Sequence, residues 1–135
     1  VEPVGYVEGG QLLEWVLDKH SERTLGWDEK ARIIKGVAAG LAHAHKHGVI
    51  HRDVRPRNIV IAPGGVVKLA NFDLAFIPNA PNLSLAKSVR EHFDRRYVAP
   101  AVWENPSDVA PTSDVYSLGL VFYQLITGQP PQHDV

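Results

Sequence analysis

Between His51 and Asn58 the chain places a histidine, a carboxylate and an amide within eight residues, His51-Arg52-Asp53-Val54-Arg55-Pro56-Arg57-Asn58. These groups at this spacing suit phosphoryl chemistry. Asp53 can accept the proton of an attacking hydroxyl, Arg55 can neutralise charge on a phosphoryl group in transit, and Asn58 can offer a carbonyl oxygen to magnesium.

Such a cluster needs elements to hold it. Upstream, Ile33, Ile34, Val37, Leu41 and Ala44 recur at helical spacing, predicting a helix from Asp28 to His47 with Asp28 as N-cap and Gly48 as the stop. Small residues Ala38, Ala39, Gly40 and Ala42 are expected to admit a neighbour closely and leave this helix well buried. Downstream, Ile59-Val60-Ile61 and Val66-Val67-Lys68-Leu69, joined by Pro63-Gly64-Gly65, read as a hairpin, with Val49-Ile50 as a further strand-like run. The polar cluster thus falls between a buried helix and a hairpin.

The flanks are less regular. Val1 to Val7 reads as a strand interrupted by Pro3 and Gly5, followed by a Glu8-Gly9-Gly10 loop and a short helix carrying Leu12, Leu13, Val16 and Leu17. From Phe76 to Glu91 no period is sustained, and Pro78, Asn79, Pro81 and Asn82 predict a long surface loop of the functional kind. Between Thr112 and Thr127, Val115, Leu118, Val121, Phe122, Leu125 and Ile126 mark a strongly apolar, buried helix ending at Gly128 and Pro130.

Composition sets the outer bounds. At 135 residues and 44% hydrophobic content the chain fits one globular domain or part of one. Its 14 basic and 15 acidic side chains nearly cancel, so no overall field favours nucleic acid or an anionic membrane. Cysteine is absent, which excludes disulfides and thiolate metal sites. No apolar run nears the roughly 20 residues that span a bilayer, and no signal pattern opens the chain, so the expected location is the cytoplasm. Methionine is absent even at position 1, and the chain begins in a strand-like run, so it is expected to be a fragment.

The motifs together resemble the eukaryotic-type protein kinases, whose catalytic loop reads His-Arg-Asp, a basic residue near Pro, then Asn. The likeness runs through Tyr6-Val7-Glu8-Gly9-Gly10, similar to the hinge, and Leu41 to Gly48, similar to the helix entering the catalytic loop. It continues through Lys68 to Ala75 and Tyr97-Val98-Ala99-Pro100, and closes in Ser113-Asp114-Val115-Tyr116-Ser117-Leu118-Gly119. The fold this implies is α+β and kinase-like: residues 1–135 as a partial domain, a mostly helical carboxyl lobe with short hairpins. The same resemblance implies ATP and magnesium as cofactors and a serine or threonine of a protein as substrate. Asp53 becomes the base, Asn58 a metal ligand, and Arg55 the stand-in for a phosphate-contacting lysine. Backbone groups of Gly5 and Val7 would face adenine, with Leu12 and Val60 packed on it. His51 would be a packing residue against Phe72, Asp114 would brace the catalytic-loop backbone, and Arg52 would receive a phosphorylated segment, with Ser84 and Ser88 as candidate phosphosites.

Three departures bear on function. Asp-Phe-Gly is here Asn71-Phe72-Asp73, so a neutral amide stands where the family's metal carboxylate would be, with Asp73 two positions on. Ala-Pro-Glu is Ala99-Pro100-Ala101, leaving Glu104 as the available substitute. Asp94, three before Tyr97, is expected to pair with Arg55.

Plainer readings accompany these. His43, His45 and His47 lack a further ligand and read as polar decoration of a helix end. Gly9-Gly10 has no following lysine and is not a phosphate loop. The leading expectation is a serine/threonine kinase whose fragment is inactive alone. The rivals are a pseudokinase scaffold, favoured by Asn71, and a small-molecule kinase of the aminoglycoside-phosphotransferase type, opposed by Arg52 and by Tyr97 to Pro100.

Overall fold

The computed structural model describes residues 6–7, 9–18, 24–78 and 92–132, with Tyr6 and Val7 by their backbone alone. Strands β1 (Tyr6–Val7), β2 (Gly10–Leu12), β3 (Ile59–Ile61) and β4 (Val67–Leu69) form a small antiparallel sheet in that order. Helices α1 (Leu13–Val16), α2 (Trp27–Lys46), α3 (Pro100–Glu104) and α4 (Pro111–Thr127) make up the rest of the regular structure, with 3-10 turns between them. The chain is α+β, mostly helical, as its motifs imply.

The apolar stripe of α2 explains its place. Ile33, Val37, Leu41 and Ala44 are buried, and the helix packs on both β4 and α4. Two details differ from the sequence reading. The helix begins at Trp27 with Gly26 as N-cap, and Asp28 lies in the first turn, where its charge still opposes the helix dipole. Ala38, Ala39 and Ala42 are exposed, because close approach occurs at Gly36 and Gly40, one step round the helix, against Val67 and Leu69.

Strand pairing fixes the edges of the site. Leu12 lies opposite Val60, and Ile59 opposite Leu69. At Gly10, with φ of 152°, an added Cβ would fall 2.3 Å from the Ile61 carbonyl oxygen, so only glycine lets β2 approach β3 this closely. Leu12 therefore belongs to the sheet, and α1 is a single turn. Val49-Ile50 forms no strand; Ile50 makes an isolated bridge to Phe76, which ties down the start of the segment expected to be loop.

The main core gathers Leu13, Ile33, Val37, Ile59, Tyr97 and Val121, among others, so α1, α2, β3, the Arg95–Tyr97 turn and α4 all contribute to it. A smaller cluster joins Phe93, Val98 and Val102 below α3. Helix α4 buries only one side: Val121 and Leu125 are inside, whereas Val115 is 58% exposed, and Phe122 and Ile126 are also exposed. Among the described residues α4 finds packing partners, α2 and the Arg95–Tyr97 turn, along one face only.

Candidate active site

The loop after α2 is held from below. Asp114, in the first turn of α4, is 1% exposed, and its two oxygens accept the backbone N–H groups of His51 and Arg52 at 2.9 Å each. His45 Nε2 lies 2.8 Å from the same carboxylate. Holding two consecutive amides in this way turns the chain sharply, and Arg52 takes φ of 73°, a left-handed conformation that costs a non-glycine residue ~1–2 kcal/mol. The brace expected of Asp114 is present. The contribution of His45 went unread in the sequence; its signal was its position, four residues after buried Leu41 and so on the flank of the apolar stripe.

His51 is fully buried, edge-on to Phe72 with ring centroids 4.6 Å apart. Its Nδ1 accepts the Asp53 N–H at 3.0 Å, which places the ring proton on Nε2, where it donates to the Ala70 carbonyl at 2.8 Å. Ala70 in turn donates its N–H to the Asn58 carbonyl at 2.8 Å. One imidazole thus links the loop to the end of β4.

Asp53 and Asn58 are 5% and 4% exposed and locked together. The Asn58 amide nitrogen donates to the Asp53 carbonyl at 2.7 Å and to its carboxylate Oδ2 at 2.8 Å, which leaves Asn58 Oδ1 facing away from Asp53. Among the described residues that oxygen meets only Asn71 Nδ2, at 3.4 Å. Asn71, directly after the segment that pairs with the loop, has φ of 60°, a value asparagine tolerates better than most residues. Asp73 sits in an exposed turn closed by the Ala75 N–H on the Phe72 carbonyl, and its carboxylate has no hydrogen bond among the described residues.

Arg55 Nε stands 3.0 Å from Asp53 Oδ1, but its N–H direction misses the oxygen, leaving a buried nitrogen without a hydrogen bond. The expected pairing with Asp94 exists as a loose 3.9 Å contact. Asp94 bonds more closely to Arg96, at 2.7 Å. Burial alone would raise the Asp94 pKa, yet hydrogen bonds and charge from Arg96, with help from Arg55, hold it below the usual carboxylate value. A folded-state pKa below the unfolded one stabilises above the unfolded value, about 3.9 for aspartate, and the gain is lost as pH falls through the folded value. The melting difference between wild type and Asp94→Ala should therefore hold near neutral pH and shrink below about pH 4; a difference that grows on acidification would contradict the assignment.

Arg52 points the other way. Its Nε donates to the Leu74 carbonyl at 2.6 Å, its guanidinium lies 5.6 Å and 5.5 Å from the Phe76 and Phe93 ring centres, and one terminal nitrogen is buried without a partner. Burial lowers its pKa, with Asp114 pulling in the opposite sense. Tyr97 anchors the next segment: its hydroxyl donates to Gln124, its carbonyl accepts Ser117 Oγ at 2.5 Å, and burial pushes the phenol up to about 12.

The remaining sequence candidates divide. Leu12 and Val60 are cross-strand partners on the two inner strands of the sheet, and Val7 pairs with Gly10. Gly5, Ser84 and Ser88 lie outside the described residues. Glu104 is exposed and makes no ion pair among the described residues, so it does not replace the missing glutamate there. His43 and His47 touch each other, with centroids 4.5 Å apart, and His47 Nδ1 lies 2.8 Å from the His43 carbonyl.

The profile of the protein kinase domain matches residues 4–135. The chain belongs to the protein kinase family. Curated relatives include the serine/threonine-protein kinase PknB of Mycolicibacterium smegmatis, 33% identical over 93% of this chain and 20% of its own length. The serine/threonine-protein kinase PknL of Mycobacterium tuberculosis is 33% identical over 93% of this chain and 30% of its own. The U-box domain-containing protein 70 of Oryza sativa subsp. japonica is 30% identical over 93% of the chain and 16% of its own. This kinase chain therefore spans less than a third of the relatives it matches. No helix among its described residues is long and apolar enough to cross a membrane.

Proposed function

We propose that the protein containing this kinase chain transfers the γ-phosphoryl group of ATP to serine or threonine of cytoplasmic protein substrates. The observation that carries the reading is the Asp53–Asn58 pair. Asn58 spends both amide hydrogens on Asp53, fixing that carboxylate as an acceptor while its own carbonyl oxygen is left with a single long contact. An under-used amide oxygen in a buried side chain is a hard donor of the kind magnesium takes.

Asn58 and, after rotation of its amide, Asn71 would hold that cation, and Asp73, two residues on, offers a carboxylate that no described group engages. Magnesium bound there supplies charge neutralisation on phosphate oxygens. Asp53 orients the substrate hydroxyl and receives its proton. Arg55, with a buried nitrogen lacking a hydrogen bond, is poised for an anionic oxygen beside Asp53. Leu12 and Val60, paired across the sheet, and the backbone of Gly5 and Val7 form the adenine side of the site. Arg52 would receive a phosphorylated segment, with Ser84 and Ser88 as the candidate phosphosites.

Transfer of labelled phosphate from ATP and magnesium to serine or threonine by the full-length protein tests this reading, and nucleotide binding without any transfer would move the chain to the scaffold class that Asn71 favours. A second measurement addresses the altered ligand. Asn71→Asp keeps a residue that tolerates positive φ and adds a charge next to Asn58. Calorimetry should show magnesium-dependent nucleotide affinity rising about tenfold, equivalent to ~1.4 kcal/mol; unchanged affinity would remove position 71 from the metal site.

A further inference from the structure

A cleft of about 500 Å3 opens beside the catalytic loop, lined by Arg55 to Arg57, by Asp94, Arg96 and Tyr97, by α1 and the turn after it, and by the end of α4. Arg55 also stands 3.0 Å from Asp53 Oδ1, so the cleft is continuous with the proposed base. A cleft that opens onto Asp53 has to stay accessible for any hydroxyl to reach that carboxylate.

Its charges are unevenly committed. Asp94 accepts three hydrogen bonds from the Arg96 side chain, at 3.0, 3.1 and 2.7 Å, besides its looser contact with Arg55. The same hydrogen bonds raise the Arg96 pKa against partial burial, and the charges of Asp94, Tyr97 and Glu14 add to the rise. Asp18 has a partner of its own. The wall from the end of α4, Gln124 and Gly128 to Pro130, is uncharged. Arg57 differs. It is exposed, and no hydrogen bond or ion pair engages its side chain among the described residues. The 3-10 turn dictates this. Pro56 and Asn58 on either side are buried, and the Asn58 N–H bonds the Arg55 carbonyl at 2.9 Å, so the residue between them is turned out into the cleft.

We infer that Arg57 selects protein substrates carrying an acidic residue about two places from the phosphorylated serine or threonine. The inference rests on Asp53 as the base, which fixes where the acceptor hydroxyl sits. In an extended peptide, side chains two places apart lie on one face, ~7 Å from each other. Arg57 follows Arg55 by two residues in a turn buried at both ends, so a hydroxyl at Asp53 brings the next same-face side chain to its guanidinium. That group presents a planar fork of donors to a carboxylate. A lysine at the same place in the substrate meets like charge from Arg57 instead. An exposed pair of this kind adds little to affinity, and its effect is to sort ligands by sign.

The probes are fluorescein-labelled peptides of about seven residues around a central serine, differing only in whether the positions two places to either side are glutamate, glutamine or lysine. Anisotropy titrations with the full-length protein should rank them in that order, with about fivefold between first and last, the order of one exposed ion pair. Arg57→Glu should reverse the ranking, Arg57→Gln should flatten it, and Arg57→Lys should keep it. With labelled ATP the same ranking should appear in KM while kcat stays level, because Arg57 touches the peptide and not the reacting atoms. Equal affinity of the peptides for the wild type, absence of saturable binding, or a ranking that survives Arg57→Glu overturns the inference. Phosphoryl transfer to every peptide with equal KM has the same force and leaves the reaction itself standing. Glutamate-first binding that Arg57→Glu reverses, with no transfer to any peptide, upholds the selectivity of the cleft and removes only the reaction.

Discussion

Converting Asp53 to asparagine is expected to lower the rate of phosphoryl transfer by about 10²–10⁴-fold, the range for loss of a positioned proton acceptor. Asparagine keeps the shape and one oxygen for Asn58 Nδ2, but it cannot take up the hydroxyl proton. Nucleotide affinity should change far less, because the adenine side proposed above rests on Leu12 and Val60, which lie on strands apart from the Asp53 loop. Single-turnover rates with labelled ATP, paired with calorimetry of nucleotide binding, separate the two effects. A rate within tenfold of wild type would mean that Asp53 is not the base; a parallel loss of affinity would make its role structural.

Removing the brace should cost stability as well as activity. Asp114→Ala leaves the buried His51 amide without an acceptor, at ~1–3 kcal/mol, does the same at lower cost to the part-buried Arg52 amide, and strips His45 of its partner. The left-handed turn at Arg52 loses the contact that offsets its strain. The expected loss is ~3–5 kcal/mol in urea unfolding of the full-length protein, comparable to breaking a buried ionic pair. Asp114→Asn should recover only part of it, since its amide presents one acceptor to two backbone donors. An asparagine variant as stable as wild type would show that one oxygen suffices.

Much of this was legible in the sequence for identifiable reasons. The body of α2 follows from a stripe with no competing signal, although its N-cap is Gly26 and not Asp28, and the hairpin follows from Pro63-Gly64-Gly65 between two β-branched runs. The roles of Asp114, His51 and Phe72 were legible because motif spacing carries them. What escaped depends on contacts far apart in the chain. His45 reaches Asp114 across 69 positions, a contact that its place on the flank of the apolar stripe permits but does not specify. The left-handed turn at Arg52 follows from a carboxylate supplied 62 residues later. Asp94 was assigned to Arg55, whereas Arg96, two residues away, holds it more tightly, since local geometry favours the neighbour. The exposed face of α4 has the same origin: apolar pattern says which residues can be buried, while burial needs a partner on every side.

His51, Ala70, Asn58 and Asp53 form a closed ring of hydrogen bonds set against the main core, and Asp114 holds that ring through the His51 N–H. None of its members can turn without breaking a bond to the next. The entropy of fixing the carboxylate is therefore surrendered once, when the chain folds. If Asp53 is the proposed base, a substrate hydroxyl meets an acceptor that is already aimed, and its binding free energy is not drawn on to aim it.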